Sequence, residues 1–119
     1  MSRPLVVKVT VGTDQPERSN QGLMIAATAA SSGAEVSLWL AGEAAWFAVP
    51  DGPDLDLRLA PPVADLIGVV LESGSVTVCA QCAARRDLTP ADLRDGVRIA
   101  GAAAYTEEIL RPDAQAIVY

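Results

Sequence analysis

Short runs of β-branched and other apolar residues recur along the chain, separated by stretches in which apolar residues follow helical spacing. The short runs predict five strands, at residues 5–11, 34–40, 75–79, 97–100 and 115–119. The stretches between them predict helices at residues 13–30, 43–49, 61–72, 81–86 and 103–110, with one further helical turn at 91–94. Strand and helix therefore alternate along the sequence.

This alternation predicts parallel strands that are joined by right-handed crossovers. The expected fold class is α/β, a three-layer α/β/α sandwich around a five-stranded, mainly parallel sheet. No internal repeat or linker interrupts the pattern, so we expect residues 1–119 to form a single domain, with residues 50–62 as a surface loop. Ligand sites in such a sheet lie beyond the C-terminal ends of the strands.

Composition and charge narrow the range of partners. Asp and Glu number 15 against 9 Lys and Arg, which gives a net charge of −6 at pH 7. Such a surface repels a phosphate backbone, so we expect no nucleic-acid partner. No apolar run approaches the roughly 20 residues that span a bilayer, and the N-terminal residues lack the apolar core and cleavage site of a secretory signal. We therefore expect a cytoplasmic protein with no membrane partner.

The chemistry open to this chain is limited because it contains no histidine. Ser-His-Asp and Cys-His catalysis are thereby excluded, together with most zinc sites. Cys79 and Cys82 supply at most two zinc ligands, and the Gly-rich phosphate-binding motifs are absent from the sequence. We expect no metal and no cofactor, and in a reducing compartment the two cysteines are predicted to be thiols.

Cys79 is the strongest candidate for a catalytic residue. It is predicted at the junction where the third strand ends and a helix begins near Gln81, and the free amides at the start of a helix favour a thiolate. Arg85 and Arg86, one or two turns further along, would add positive potential. A thiol in this position can attack another sulfur atom without the help of a histidine.

The sequence pattern leaves other roles open for these residues. Cys79 could instead be a small buried hydrophobic residue, as free cysteines often are. Cys82, one helical turn beyond it, could resolve an oxidised or persulfidated Cys79, or it could pack inward without a chemical role. Gly12 and Thr13, which follow the first strand, could supply amides to the same edge of the sheet.

These features resemble the DsrE/DsrF family of small sulfur-relay proteins. The matching segments are residues 12–18 after the first strand, residues 33–36 entering the second strand, and Val76-Thr77-Val78-Cys79 ahead of a helix with Arg85-Arg86. The resemblance implies that Cys79 carries a persulfide, receiving sulfur from one protein and passing it to another. Some branches of the family have a second cysteine at the position of Cys82.

The resemblance also implies assembly, because family members work in complexes with sister subunits or form trimers or hexamers. We therefore expect a homo-oligomer. Asp87 departs from the family pattern, in which a glycine commonly follows the arginine. The turn that ends this helix is accordingly expected to differ.

The leading hypothesis is a small sulfur-relay protein in which Cys79 is the acceptor nucleophile and Cys82 an optional resolving thiol. Its partners would be sulfur donor and acceptor proteins. A carrier of this kind has no small-molecule turnover of its own; if it is active, it is a sulfurtransferase-like protein. Two alternatives belong to other classes. One is a dithiol redox protein or sensor using Cys79 and Cys82, and the other is a non-catalytic oligomeric binding module.

Overall fold

Parallel strands form one sheet in the structure. The computed structural model describes residues 3–119. Within that part of the chain the strands are β1 (Pro4–Val9), β2 (Glu35–Leu40), β3 (Ser75–Cys79), β4 (Arg98–Ala100) and β5 (Gln115–Val118). They lie in the order β4-β3-β2-β1-β5, and each neighbouring pair is parallel. The sheet is therefore parallel throughout its described strands.

Helices cover this sheet on both sides. Over residues 3–119 they are α1 (Pro16–Ser31), α2 (Val63–Ser73), α3 (Ala80–Arg85) and α4 (Ala102–Ile109), with short 3-10 segments at Gly42–Ala48 and Pro90–Asp92. Helices α1 and α2 pack against each other and against β1, β2 and β3. Helix α4 crosses the opposite side, where Tyr105 and Glu108 contact Trp39. The α/β/α architecture predicted from the alternation is confirmed.

The two faces of the sheet carry different side chains. Because side chains alternate along a strand, residues that share a register row share a face. The aliphatic face, towards α1 and α2, consists of Val7, Val9, Leu38, Leu40, Val76 and Val78, all of which are buried. The polar face, towards α4, includes one buried valine, Val6, together with polar or aromatic side chains, among them Lys8, Glu35, Ser37, Trp39, Ser75, Thr77 and Arg98.

The hydrophobic core lies between the aliphatic face and the helices on that side. Helix α1 approaches the sheet closely because small residues face it; a β-carbon at Gly22 would lie 2.5 Å from Val9 Cγ2. Phe47 of the first 3-10 segment and Ile67 of α2 are fully buried in the same core. Burial of apolar surface, worth about 25 cal/mol per Å², makes this layer the main source of stability.

Some element boundaries differ from those predicted. Strand β1 ends at Val9 rather than residue 11, because β2 ends at its register partner Leu40 and leaves the following residues unpaired with it. The helix predicted at 43–49 is a 3-10 segment, Gly42–Ala48. Residues 50–62 contain neither helix nor strand, as expected for a surface loop.

The predicted single domain starts at residue 1, and residues 1 and 2 lie outside the described part of the chain. Among the helices of residues 3–119, none combines the length and apolar character that crossing a membrane requires.

Candidate functional site

Cys79 lies at the C-terminal edge of the sheet. It is the last residue of β3, α3 begins at the next residue, Ala80, and its register partner on β4 is Ala100. The thiol is partly exposed, whereas Val78 before it is fully buried. The candidate nucleophile therefore occupies the edge at which parallel sheets hold their ligands, with access from solvent.

The surroundings of the Cys79 sulfur favour its thiolate. Desolvation by burial alone would raise the pKa of this thiol, since it disfavours the charged form. The amide and the thiol of Cys82, the amide of Gln81 and the charge of Lys8 act in the opposite direction, and together they bring the pKa of Cys79 below its ordinary value. Cys79 makes no side-chain capping hydrogen bond of normal geometry to α3, so these amides act on the sulfur through their proximity.

Cys82 lies one turn further along α3 and is only 9% exposed. Its Sγ accepts a hydrogen bond from the Gly42 amide, with an N–S distance of 3.2 Å. Gly42 has φ +53°, and a β-carbon there would lie 2.5 Å from the Thr10 carbonyl oxygen. Only glycine fits this turn without strain, so the turn after β2 delivers an amide to the second cysteine.

The two arginines of the predicted site have different surroundings. Arg86 forms an ion pair with Glu43, with Nη2 and Oε2 2.8 Å apart, and its Nη1 donates to the Cys82 carbonyl oxygen. Arg85 is exposed, and its Nη2 lies 3.5 Å from Oε1 of Gln81, which is also exposed. The charge of Arg86 is thus paired with a carboxylate, which reduces the positive potential expected from this helix.

Gly12, the first residue of the predicted Gly12-Thr13 pair, hydrogen-bonds to residues close to it in sequence. The Gly12 amide donates to Asp14 Oδ1, and its carbonyl oxygen accepts from the Ser19 hydroxyl. A β-carbon at Gly12 would lie 2.6 Å from the Glu43 carbonyl oxygen, so this residue packs on the 3-10 segment that follows β2. Thr13 is exposed. Gly12 therefore contributes to the site indirectly, through the segment that holds Cys82, and within residues 3–119 the structure shows no contact of Thr13 with the site.

Asp87 ends α3 in a left-handed conformation, with φ +55°. The Leu88 amide donates to the Ala83 carbonyl oxygen at 2.9 Å and the Asp87 amide donates to the Ala84 carbonyl oxygen at 3.2 Å. This pair of bonds is a Schellman motif, whose left-handed position usually holds glycine. Aspartate tolerates that conformation better than most residues, so Asp87 occupies the left-handed position of this turn.

Lys8 was not singled out by the sequence pattern, yet its charge reaches Cys79. Its Nζ lies 4.6 Å from the centroid of the Tyr105 ring, on the polar face. The available signal was a single charged residue within an otherwise apolar strand. Nothing in the spacing connects residue 8 with residue 79, so only the fold brings them to one face.

Metal binding gains no support from the described side chains. Over residues 3–119, no three Cys, Asp or Glu side chains lie close enough together to hold a metal ion. The candidate site around the two cysteines is built by β3, α3 and the turn after β2.

The sequence model of the DsrE/DsrF-like family matches residues 5–115, nearly the whole chain. The chain belongs to the DsrE/DsrF-like family. This membership confirms the family resemblance inferred from the sequence. No curated protein matches this chain at a significant level.

Two solved structures share the DsrE/DsrF-like architecture of this chain over their whole length. The crystal structure of the ychN protein from E. coli has a TM-score of 0.81 at 16% sequence identity. A protein of unknown function from Methanobacterium thermoautotrophicum, MTH1491, has a TM-score of 0.67 at 6% identity. Each comparison covers 100% of both chains. At these identities the likeness establishes the fold alone.

Proposed function

We propose that this protein is a sulfur carrier that holds a persulfide on Cys79 and passes the sulfur between partner proteins. The observation that carries the proposal is the Cys79 thiol itself, which is partly exposed at the sheet edge in surroundings that lower its pKa. Membership in the DsrE/DsrF-like family supports the same role, since the family resemblance implies a persulfide at this position.

Sulfur transfer at Cys79 balances without an added oxidant or reductant. The Cys79 thiolate attacks the outer sulfur of a donor persulfide, so that a new S–S bond forms at Sγ. The donor's S–S bond breaks, and its electron pair leaves with the donor thiolate. In delivery, an acceptor thiolate attacks the outer sulfur and Cys79 leaves as a thiolate. A lowered pKa assists both steps, because it enriches the attacking thiolate and improves the leaving group.

Cys82 gives the persulfide a second outcome. Its thiol contributes to the lowered pKa of Cys79, and attack of Cys82 on Cys79 Sγ would form a disulfide and release the outer sulfur as hydrosulfide. The position of Cys82 one helical turn from Cys79 also favours a second candidate function, a dithiol redox protein. In that case an external disulfide oxidises the pair and leaves as two thiols.

Sulfur uptake from a low-molecular-weight persulfide, followed by intact mass, tests the proposal. We expect the wild type to gain the mass of one sulfur atom. Cys79→Ser should gain none, whereas the matched Cys82→Ser variant should still gain one, because only Cys79 lies at the exposed edge. Because Cys82 can resolve the persulfide in the wild type, Cys82→Ser is the decisive variant. Absence of uptake by both the wild type and Cys82→Ser, or equal uptake by Cys79→Ser, would overturn the proposal. Loss of two hydrogens by the wild type, together with no sulfur gain in Cys82→Ser, would favour the dithiol redox protein.

The proposed partners are sulfur donor and acceptor proteins. We also propose that the protein is a homo-oligomer, a trimer or hexamer, in the reducing cytoplasm. The exposed side chain of Val118 on the edge strand β5, 60% accessible, is compatible with a subunit contact. Native mass spectrometry of the same persulfidated sample gives the subunit count, and a purely monomeric spectrum would contradict the expected assembly.

A further inference from the structure

Lys8 is the charged residue of β1, whose other residues are proline, leucine and valine. It shares a register row with Trp39 and Thr77 on the polar face. Residue 79 lies two positions beyond Thr77 on β3, so the alternation of side chains places Cys79 on that same face. Lys8 and Cys79 therefore face the same side of the sheet, from strands that are separated by β2.

The position of the Lys8 ammonium is fixed by aromatic contacts. Its Nζ lies 4.6 Å from the Tyr105 ring centroid, and a cation over an aromatic face is attracted by the ring. Tyr105 is fixed in turn by Trp39, with ring centroids 5.2 Å apart and an angle of 77° between the planes. Trp39 is 1% exposed, so the support beneath the ammonium is anchored in the interior.

The charge of Lys8 is not paired with a carboxylate of residues 3–119. The ion pairs in that range are Glu43–Arg86, Glu108–Arg98 and Glu35–Arg111. The other charged or titratable groups on this side are Glu35 from β2 with its partner Arg111, Arg98 from β4, and Tyr105 and Glu108 from α4. Because Glu35 pairs with Arg111 and Glu108 pairs with Arg98, Lys8 provides the unpaired positive charge of the polar face.

We propose that Lys8, held over Tyr105, is the cation that stabilises the anionic sulfur of Cys79, both as thiolate and as persulfide. The proposal rests on the sulfur-carrier function, and it makes Lys8 a positioning residue that acts through the electrostatic field. The charge of Lys8 is the smallest of the four causes that lower the Cys79 pKa, after the amide and thiol of Cys82 and the amide of Gln81, but it is the only one of them that carries a full charge. Arg85 and Arg86 lie nearer in sequence, but the first is exposed and the second is paired with Glu43.

The rate of Cys79 alkylation by iodoacetamide against pH, with the modified cysteine located by fragment-ion mass spectrometry, tests this role. We expect Lys8→Met to slow alkylation at neutral pH by about threefold or more and to move the pH profile upward, because an opposite charge is lost near the sulfur. Lys8→Arg should restore the wild-type profile. Tyr105→Leu, which removes the ring under the ammonium, should give an intermediate profile.

Arg58→Met is the matched control, since it removes one positive charge from an exposed position in the loop of residues 50–62. Its alkylation profile should follow that of the wild type. Equal profiles for Lys8→Met and the wild type, or an equal shift in Arg58→Met, would overturn the role of Lys8. These outcomes leave the sulfur carrier standing if wild-type Cys79 still reacts below the ordinary thiol pKa, whereas an ordinary wild-type profile would remove the basis of both proposals.

Discussion

The two faces of the sheet are stabilised in different ways. On the aliphatic face, Val7, Leu38 and Val76 form one register row with no polar side chain, and their burial against α1 and α2 is non-directional. On the polar face, Glu108 of α4 accepts hydrogen bonds from the side chains of Ser37 and Trp39 and pairs with Arg98. Burial of apolar surface therefore dominates one face, while a specific polar network fixes the other.

The aliphatic face and the polar face therefore have different functions. The aliphatic face holds the fold through the buried Val and Leu side chains of β1, β2 and β3. The polar face holds Lys8, Tyr105 and the network around Glu108, and it shares its side of the sheet with Cys79. In a chain of this size, chemistry can be assigned to one face because the other supplies most of the stability.

The largest effect is expected from a change to the aliphatic face. Leu38→Ala should lower the free energy of unfolding by about 3 kcal/mol, because it leaves a cavity under two helices. Urea denaturation followed by circular dichroism measures this loss. A cost well below 1 kcal/mol would show that this face is not the main source of stability.

A smaller loss is expected from the polar network. Glu108→Ala removes the shared acceptor of Ser37, Trp39 and Arg98, and it should cost about 2 kcal/mol because the partly buried donors lose their partner. The neighbouring Glu107 is exposed, and Glu107→Ala should stay within about 0.5 kcal/mol of the wild type. Equal effects in the two variants would contradict the network, and a Glu108 loss that exceeded the Leu38 loss would reverse the contrast between the faces.

The smallest effect is the pH dependence of stability that is expected from Tyr105 of α4, beside the polar face. Burial raises the pKa of Tyr105, and the charge of Glu108 raises it further. A raised native-state pKa means that the stability gained from the neutral phenol is fully present below the ordinary tyrosine pKa of about 10, and is lost as the pH rises through the higher native value.

The chain has two tyrosines, so the Tyr119→Phe variant keeps only Tyr105. Titration of tyrosinate absorbance in this variant measures the pKa of Tyr105. Ionisation of Tyr105 at or below the ordinary pKa would contradict the expected shift. A second substitution, Glu108→Gln, should lower the pKa of Tyr105, because it removes the negative charge of Glu108 and leaves burial as the cause of the shift.

Much of the fold could be predicted because it depends on local patterns. The apolar run that ends at Cys79 and the small residues of the next helix place the thiol at a strand-to-helix junction without any tertiary information. The hydrophobic alternation of β2 likewise separates Leu38 from Trp39.

The polar contacts of the site could not be predicted in the same way, because they join distant parts of the chain. Ser37 and Glu108 are 71 residues apart, and Gly42 and Cys82 are 40 apart. Lys8 was visible as a charge in an apolar strand, but its relation to Cys79 depends on the order of the strands. The sequence showed Asp87 as a departure from the family pattern. Its left-handed conformation, however, follows from the way α3 ends.

Helix α4 covers the polar face with eight residues, and none of them is fully buried. Segments with few buried contacts open at a free energy far below that of global unfolding. Fluctuations that lift α4 would expose Trp39 and release Lys8 from Tyr105 while α1 and α2 stay in place. Local opening is therefore expected at the polar face, while the aliphatic face and its helices stay folded.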